Sequence, residues 1–173
     1  MTERVTQPRD RVGRSDASAP LAIVLVEPQI PPNTGNVARL CAATGCALHL
    51  VEPLGFSIDD RALKRAGLDY WNAVSLVVHR SLDDALAQFA GRMWLISTRG
   101  TGCYADAPFA AGDALVFGKE TAGLPAGLLA ANRQRTLRIP MRTGSVRSLN
   151  LATAVGVVTY AALAKLGFPN LAR

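Results

Sequence analysis

Residues 21–26, LAIVLV, carry no polar side chain, and no other stretch limits the architecture so strongly. Side chains of a strand alternate between the two faces of its sheet, so a strand apolar at every position must be covered on both. ALHLV at 47–51, AVSLVV at 73–78, MWLIS at 93–97, ALVFG at 114–118 and TLRIP at 136–140 are likewise runs rather than alternations. Helical stretches separate them. TGNVARLCAATG (34–45) spaces its apolar residues as a helix does and closes on glycine. SIDDRALKRAG (57–67) runs from a serine and early acids to later bases and a glycine, and SLDDALAQFA (81–90) repeats the strand-then-helix order. A short helix near 125–131 and a long one from about 148 to 166 complete the pattern. The alternation predicts a parallel sheet flanked by helices, an α/β fold.

With 173 residues, 49% hydrophobic and 18% charged, the chain can bury a substantial single core. Residues 1–20 are rich in Arg, Asp, Ser, Thr and Pro and read as a flexible tail, with one domain over 21–173. The tail lacks the apolar segment of about 7–15 residues that a secretory signal needs. No later run reaches the roughly 18 uncharged residues of a strong membrane span, although 148–164 comes near. A soluble cytoplasmic protein with no membrane partner is expected. The last helix is apolar around most of its circumference until Lys165, so it is either enclosed by its own domain or packed against a second subunit.

Cys41, Cys46 and Cys103 form no CxxC pair and have no histidine at ligand spacing, so reduced thiols and no metal site are expected. His49 and His79 lie in or beside apolar runs, where a packed or hydrogen-bonded imidazole is expected. The net charge of +6 favours an acidic partner, and Arg133, Arg135, Arg138, Arg142 and Arg147 fall in a stretch without one acidic residue. That run reads as a surface for phosphates, the other reading being a solvated basic face.

Ligands of open parallel sheets bind beyond the carboxyl ends of the strands. The segments there are EPQIPPNTGNVAR, TRGTGC, KETAGLP and MRTGSVRSLN, all rich in glycine, proline or hydrogen-bonding side chains. GTGC lacks the third glycine of a dinucleotide fingerprint and does not follow the first strand. FGKET has glutamate where a phosphate loop needs a hydroxyl, and no GxSxG elbow is present for a serine hydrolase.

PPNTGNVARL, FGKETAGLP and IPMRTGSVRSLNLATA, in that order, resemble the three motifs of the SPOUT superfamily of S-adenosylmethionine-dependent RNA methyltransferases. Within it the chain is most similar to the small tRNA 2'-O-methyltransferases that modify the ribose of nucleotide 34, cytidine or uridine. GCALHLVEPLGF and RALKRAGLDYW extend the resemblance over essentially 21–170. It implies a deep trefoil knot at the C-terminal end of the α/β fold, a homodimer with active sites near the subunit interface, and a tRNA partner rather than DNA. Carried onto this chain, it implies catalytic roles for Asn33, Arg39, Glu120, Ser148 and Asn150. It implies cofactor contacts at Ile96, Ser97, Thr98, Gly118, Ile139, Met141, Ser148 and Leu149, and RNA contacts at Lys64, Arg65, Arg133, Arg135, Arg142 and Arg147. The chain departs from the pattern at Ala122, where relatives usually carry a basic residue, and in one added residue between Met141 and Ser148.

Ser148 is placed to cap the last helix, and Asn150, if buried, needs a partner, which Asn33 or Glu120 can supply. Methyl transfer from a sulfonium to a ribose hydroxyl needs neither metal nor covalent enzyme intermediate. An arginine is a poor proton acceptor, so the implied role of Arg39 is to stabilise the forming oxyanion. Two other readings stay open: an enzyme of the same fold acting on ribosomal RNA, and a catalytically silent RNA-binding protein.

Overall fold

The computed structural model describes residues 18–57 and 73–172. Its strands are β1 (Leu21–Val26), β2 (Ala47–Val51), β3 (Leu76–His79), β4 (Met93–Ile96), β5 (Gly102–Cys103), β6 (Asp113–Phe117) and β7 (Thr136–Arg138). Its helices are α1 (Pro31–Thr44), α2 (Leu82–Ala87), α3 (Ala126–Ala131) and α4 (Leu151–Lys165). The seven strands form one sheet in the order β3-β2-β1-β6-β4-β7-β5, with every pairing parallel. β1, β2 and β6 are buried at every position, as their unbroken apolar runs require.

Alternate residues of β1 feed two cores. Leu21, Ile23 and Leu25 join Val37 and Cys41 of α1 and Val155, Val158 and Ala162 of α4 on one face. Ala22, Val24 and Val26 join Ala85 of α2 and Leu129 near the end of α3 on the other. Burying 22 hydrophobic residues on the first face and 11 on the second is the main source of stability, at roughly 1.5–3 kcal/mol for each large side chain before chain entropy is subtracted.

Several boundaries differ from the sequence reading. α1 begins at Pro31, three residues before the expected start, because a proline at the first helical position has a fixed φ and no N–H to lose. β3 begins at Leu76 rather than 73, and α2 is shorter than 81–90. β5 has two residues, too few to leave a periodic signal. The last helix begins at Leu151, and its cap is Asn150, whose side chain accepts from the Thr153 N–H; Ser148 is exposed in the preceding loop and does not cap it. The helix expected at 57–67 lies outside the described residues, as does most of the tail at 1–20.

The edge formed by β4, β7 and β5 is unusual in its connections. Ile96 and Gly102 both lie level with Leu137, one on each side of β7, so residues 97–101 must cross β7 to join β4 to β5. The crossing is tight. Ser97 N–H donates to the Leu137 carbonyl (2.9 Å) and Thr101 N–H to the Thr136 carbonyl (3.2 Å). A Cβ on Gly100 would sit 2.3 Å from the Leu137 carbonyl carbon, so only glycine allows this approach. A strand that arrives later in the chain thus occupies the space beneath a loop laid down earlier, and the chain beyond it turns back into α4.

α4 buries Leu151, Val155, Val158, Thr159, Ala162 and Leu163 within the chain. Its opposite side leaves Thr153, Tyr160 and Ala164 exposed, Tyr160 by 47%. No helix among the described residues is long and apolar enough to cross a membrane.

Candidate active site

A cavity of about 730 Å³ opens at the carboxyl ends of β4, β6 and β7. Three loops enclose it: 96–99 after β4, 117–124 after β6, and the segment from Ile139 through Met141 to Arg147–Leu151 after β7. The middle loop turns on glycine. A Cβ at Gly118 would lie 2.0 Å from the Gly123 carbonyl carbon, while Gly123 itself has φ +69 and donates its N–H to the Lys119 carbonyl. All eight residues with an implied cofactor contact line this cavity: Ile96, Ser97, Thr98, Gly118, Ile139, Met141, Ser148 and Leu149.

A chain of hydrogen bonds joins the three motifs. Glu120 Oε2 accepts from the Gln29 N–H (2.9 Å), and Oε1 accepts from the Ile30 N–H (3.1 Å) and Asn33 Nδ2 (3.0 Å). Asn33 Oδ1 accepts in turn from Asn150 Nδ2 at 2.9 Å. Asn150 therefore finds its partner in Asn33, and its own Oδ1 caps α4. The N-cap of α1, Ile30, has no side-chain cap of its own, and the Glu120 carboxylate stands at that positive helix end in its place. With both oxygens accepting neutral donors, Glu120 holds the loop after β1 against the loop after β6.

Two further links reinforce that seam, and the sequence reading missed them. Lys119 Nζ lies 2.7 Å from Glu27 Oε2, and Thr121 Oγ1 donates to Gln29 Oε1 at 2.8 Å. Their positions just past the ends of β1 and β6 were the available signal, since those ends lie side by side in the sheet.

The arginines are dispersed. Arg147 lines the cavity. Arg142 is exposed in the same loop, where its carbonyl accepts from Ser145 Oγ. Arg133 and Arg135 precede β7, outside the cavity lining, and the Arg135 guanidinium sits 4.6 Å from the centre of the Trp94 ring. Arg39 is exposed on α1, six residues beyond Asn33, and does not line the cavity of its own chain. Lys64 and Arg65 lie outside the described residues.

The histidines and cysteines stand apart from the cavity lining. His49 Nδ1 and His79 Nε2 are 2.9 Å apart, the rings are stacked, and both side chains are buried between β2, β3 and Phe89. Burial, and then the neighbouring His79, pushes the His49 pKa down to about 4. Burial also lowers His79, against a smaller opposing pull from Asp84. The thiols are free, and burial raises the pKa of both Cys41 and Cys46.

Residues 20–160 match the family described as SpoU rRNA Methylase. A tRNA (cytidine(34)-2'-O)-methyltransferase of Saccharophagus degradans is 51% identical over 148 residues, which cover 84% of this chain and 96% of that protein. A solved structure described as giving insight into the 2-OH methylation of C/U34 on tRNA superposes with a TM-score of 0.80 at 50% identity, covering 85% of this chain and 96% of the other. The AdoMet-bound rRNA methyltransferase of Sinorhizobium meliloti shares the fold with a TM-score of 0.74 at 24% identity, and this chain spans 59% of its length. The strand threaded beneath the 97–101 loop, the cavity lined by residues of all three motifs and the match over 20–160 agree: the chain belongs to the SpoU methylase family and has its α/β-knot fold.

Proposed function

We propose that the protein is an S-adenosylmethionine-dependent tRNA methyltransferase that methylates the 2'-oxygen of the ribose at nucleotide 34, cytidine or uridine. The observation that carries this reading is the Glu120–Asn33–Asn150 chain, which gathers all three motifs at one cavity. Relatives at about half identity, matched over nearly their whole length, are named for that reaction. The relatives named for tRNA match at about half identity, which favours tRNA over ribosomal RNA. Residues 21–173 then form one catalytic domain, with 1–20 as a tail, working in the cytoplasm where tRNA is.

The cavity suits the cofactor. Its wall combines apolar Ile96, Phe117, Leu124, Ile139 and Leu149 with main chain brought close by Gly118, a composition for an adenine ring and its polar substituents. The loops at 96–98, 118–124 and 139–149 would hold it, and when bound it supplies a methyl group already activated on a sulfonium. The protein's task is then to place the ribose hydroxyl in line and to stabilise the charge that grows on its oxygen. Asn33 and Asn150, each with its amide orientation set by the hydrogen-bond chain, form a rigid wall for the nucleotide. Arg39 stabilises the oxyanion. Because Arg39 lies off the cavity of its own chain, it would come from a second copy, which fits the exposed side of α4 around Tyr160.

The test uses purified protein, labelled cofactor and two tRNAs, one unmodified and one already 2'-methoxy at nucleotide 34. Transfer to the first and none to the second is expected. Equal transfer to both, or transfer confined to ribosomal RNA, rejects the assignment.

A further inference from the structure

Among the residues around the cavity, three cations come from three different loops: Arg99 after β4, Lys119 after β6 and Arg147 ahead of α4. The carboxylate that lines the cavity with them, Glu120, has both oxygens occupied by neutral donors. The wall therefore presents positive charge to whatever strand crosses the opening. Lys119 differs from its two neighbours in having a prepared counter-ion, since Glu27 Oε2 lies 2.7 Å from its ammonium. Glu27 is not part of the cavity wall, and each side chain of the pair is 33% exposed.

That pair is not needed to hold the loops together. Glu120 already ties the segment after β1 to the segment after β6 with three hydrogen bonds, and Thr121–Gln29 adds a fourth. An ion pair so exposed contributes little to stability, because water and salt screen it and two long side chains must be held still. By the same physics its partner can be exchanged at little cost. A phosphate diester offers the ammonium the same single negative charge, shared like a carboxylate's over two acceptor oxygens.

We propose that Lys119 is a backbone contact for the RNA strand entering the cavity, and that Glu27 is its resting counter-ion, displaced by an RNA phosphate when substrate docks. Glu27 thereby weakens binding of the substrate it appears beside, and keeps the lysine extended toward the rim until a phosphate competes for it. This inference rests on the reading that the cavity takes RNA.

Binding of an anticodon stem-loop RNA is measured by fluorescence anisotropy over a range of salt for wild type, Lys119→Met and Glu27→Gln, below the thermal midpoint of each. Lys119→Met should bind about two- to fivefold more weakly. Its salt slope should be shallower by about 0.7 for one lost single-strand phosphate contact. Glu27→Gln should bind more tightly than wild type, because the competing carboxylate is gone. Opposite signs for the two variants support the exchange. Equal weakening by both, in parallel with lowered thermal midpoints, overturns it, since a purely structural bridge fails alike from either end. So does a Lys119→Met variant that loses cofactor affinity by calorimetry while RNA affinity stands, because the anion would then be the cofactor's carboxylate. Methyl transfer by wild type to nucleotide 34 is scored separately, so its failure removes the proposed reaction without altering what the two binding curves say about Lys119.

Discussion

Single side chains here do their work by being paired. Glu120 reaches across 90 residues of sequence to the start of α1, and Asn33 relays that contact to Asn150. The His49–His79 pair is the clearest case with a measurable signature. Both imidazoles are buried, and His49 is held near pKa 4 against an ordinary value of 6.5. The unfolded chain takes up a proton at about 6.5 that the folded protein refuses until about 4. Stability is therefore fully present above pH 6.5 and falls as pH drops toward 4, by on the order of 3 kcal/mol from His49. Thermal unfolding from pH 7 to 5, below which carboxylates intrude, should show the decline. A His49→Leu, His79→Leu double variant should flatten it, and a wild-type midpoint constant over that range would contradict the argument.

Among the elements, the crossing of β7 by residues 97–101 is the least tolerant of change. Gly100 lies against the backbone of Leu137 and Arg138, where a Cβ would meet main-chain atoms at 2.3 and 2.6 Å. Neither strand can yield without losing the hydrogen bonds from Ser97 and Thr101. Gly100→Ala should destabilise the protein by about 2–3 kcal/mol or more and weaken cofactor binding, since Ile96–Arg99 form part of the same cavity wall. Gly127 in α3 is the control. A Cβ there meets nothing within 4 Å, so Gly127→Ala should be neutral or stabilise by about 0.5–1 kcal/mol. Thermal midpoints of the two variants, with calorimetry of cofactor binding, compare them directly; equal midpoints would show that the crossing has room to adjust.

For the whole molecule, the exposed side of α4 and the position of Arg39 point to one arrangement. Tyr160 is 47% exposed between Thr153 and Ala164 on a helix whose opposite side is buried, while Arg39 lies outside the cavity lining of its own chain. The proposed symmetric dimer through this region would account for both, and with it Arg39→Ala should lower the single-turnover rate roughly 10²–10³-fold with cofactor affinity nearly unchanged. Mixing decides where that arginine acts. Subunits carrying Arg39→Ala and subunits carrying Glu120→Gln, each poorly active alone, should regain about a quarter of wild-type activity when co-assembled, because half of the dimers are mixed and each mixed dimer has one intact site. No recovery in a verified mixed dimer would assign Arg39 to its own chain's chemistry or to none.

Much of this was legible along the chain, because it depends on local pattern. Unbroken apolar runs such as LAIVLV require a strand covered on both faces, and glycine and proline punctuate the segments at the strand ends whatever surrounds them. The three motifs marked segments that all reach the cavity, and Asn150 was already a polar group in search of a partner. What pattern does not encode is which distant segments share a neighbourhood. Ser148 read as the cap, with Asn150 inside the helix, until the helix start placed Asn150 at the N-cap and left Ser148 in the loop. Five arginines between 133 and 147 looked like one surface, yet β7 sends Arg135 onto Trp94 and Arg147 to the cavity. The two residues of β5 pair only because β7 lies beside them, and Lys119 meets Glu27 only because β6 lies beside β1. Local pattern selects helices, strands and turns through forces that act within a few residues; strand order and threading join residues some ninety apart, and only the folded chain decides them.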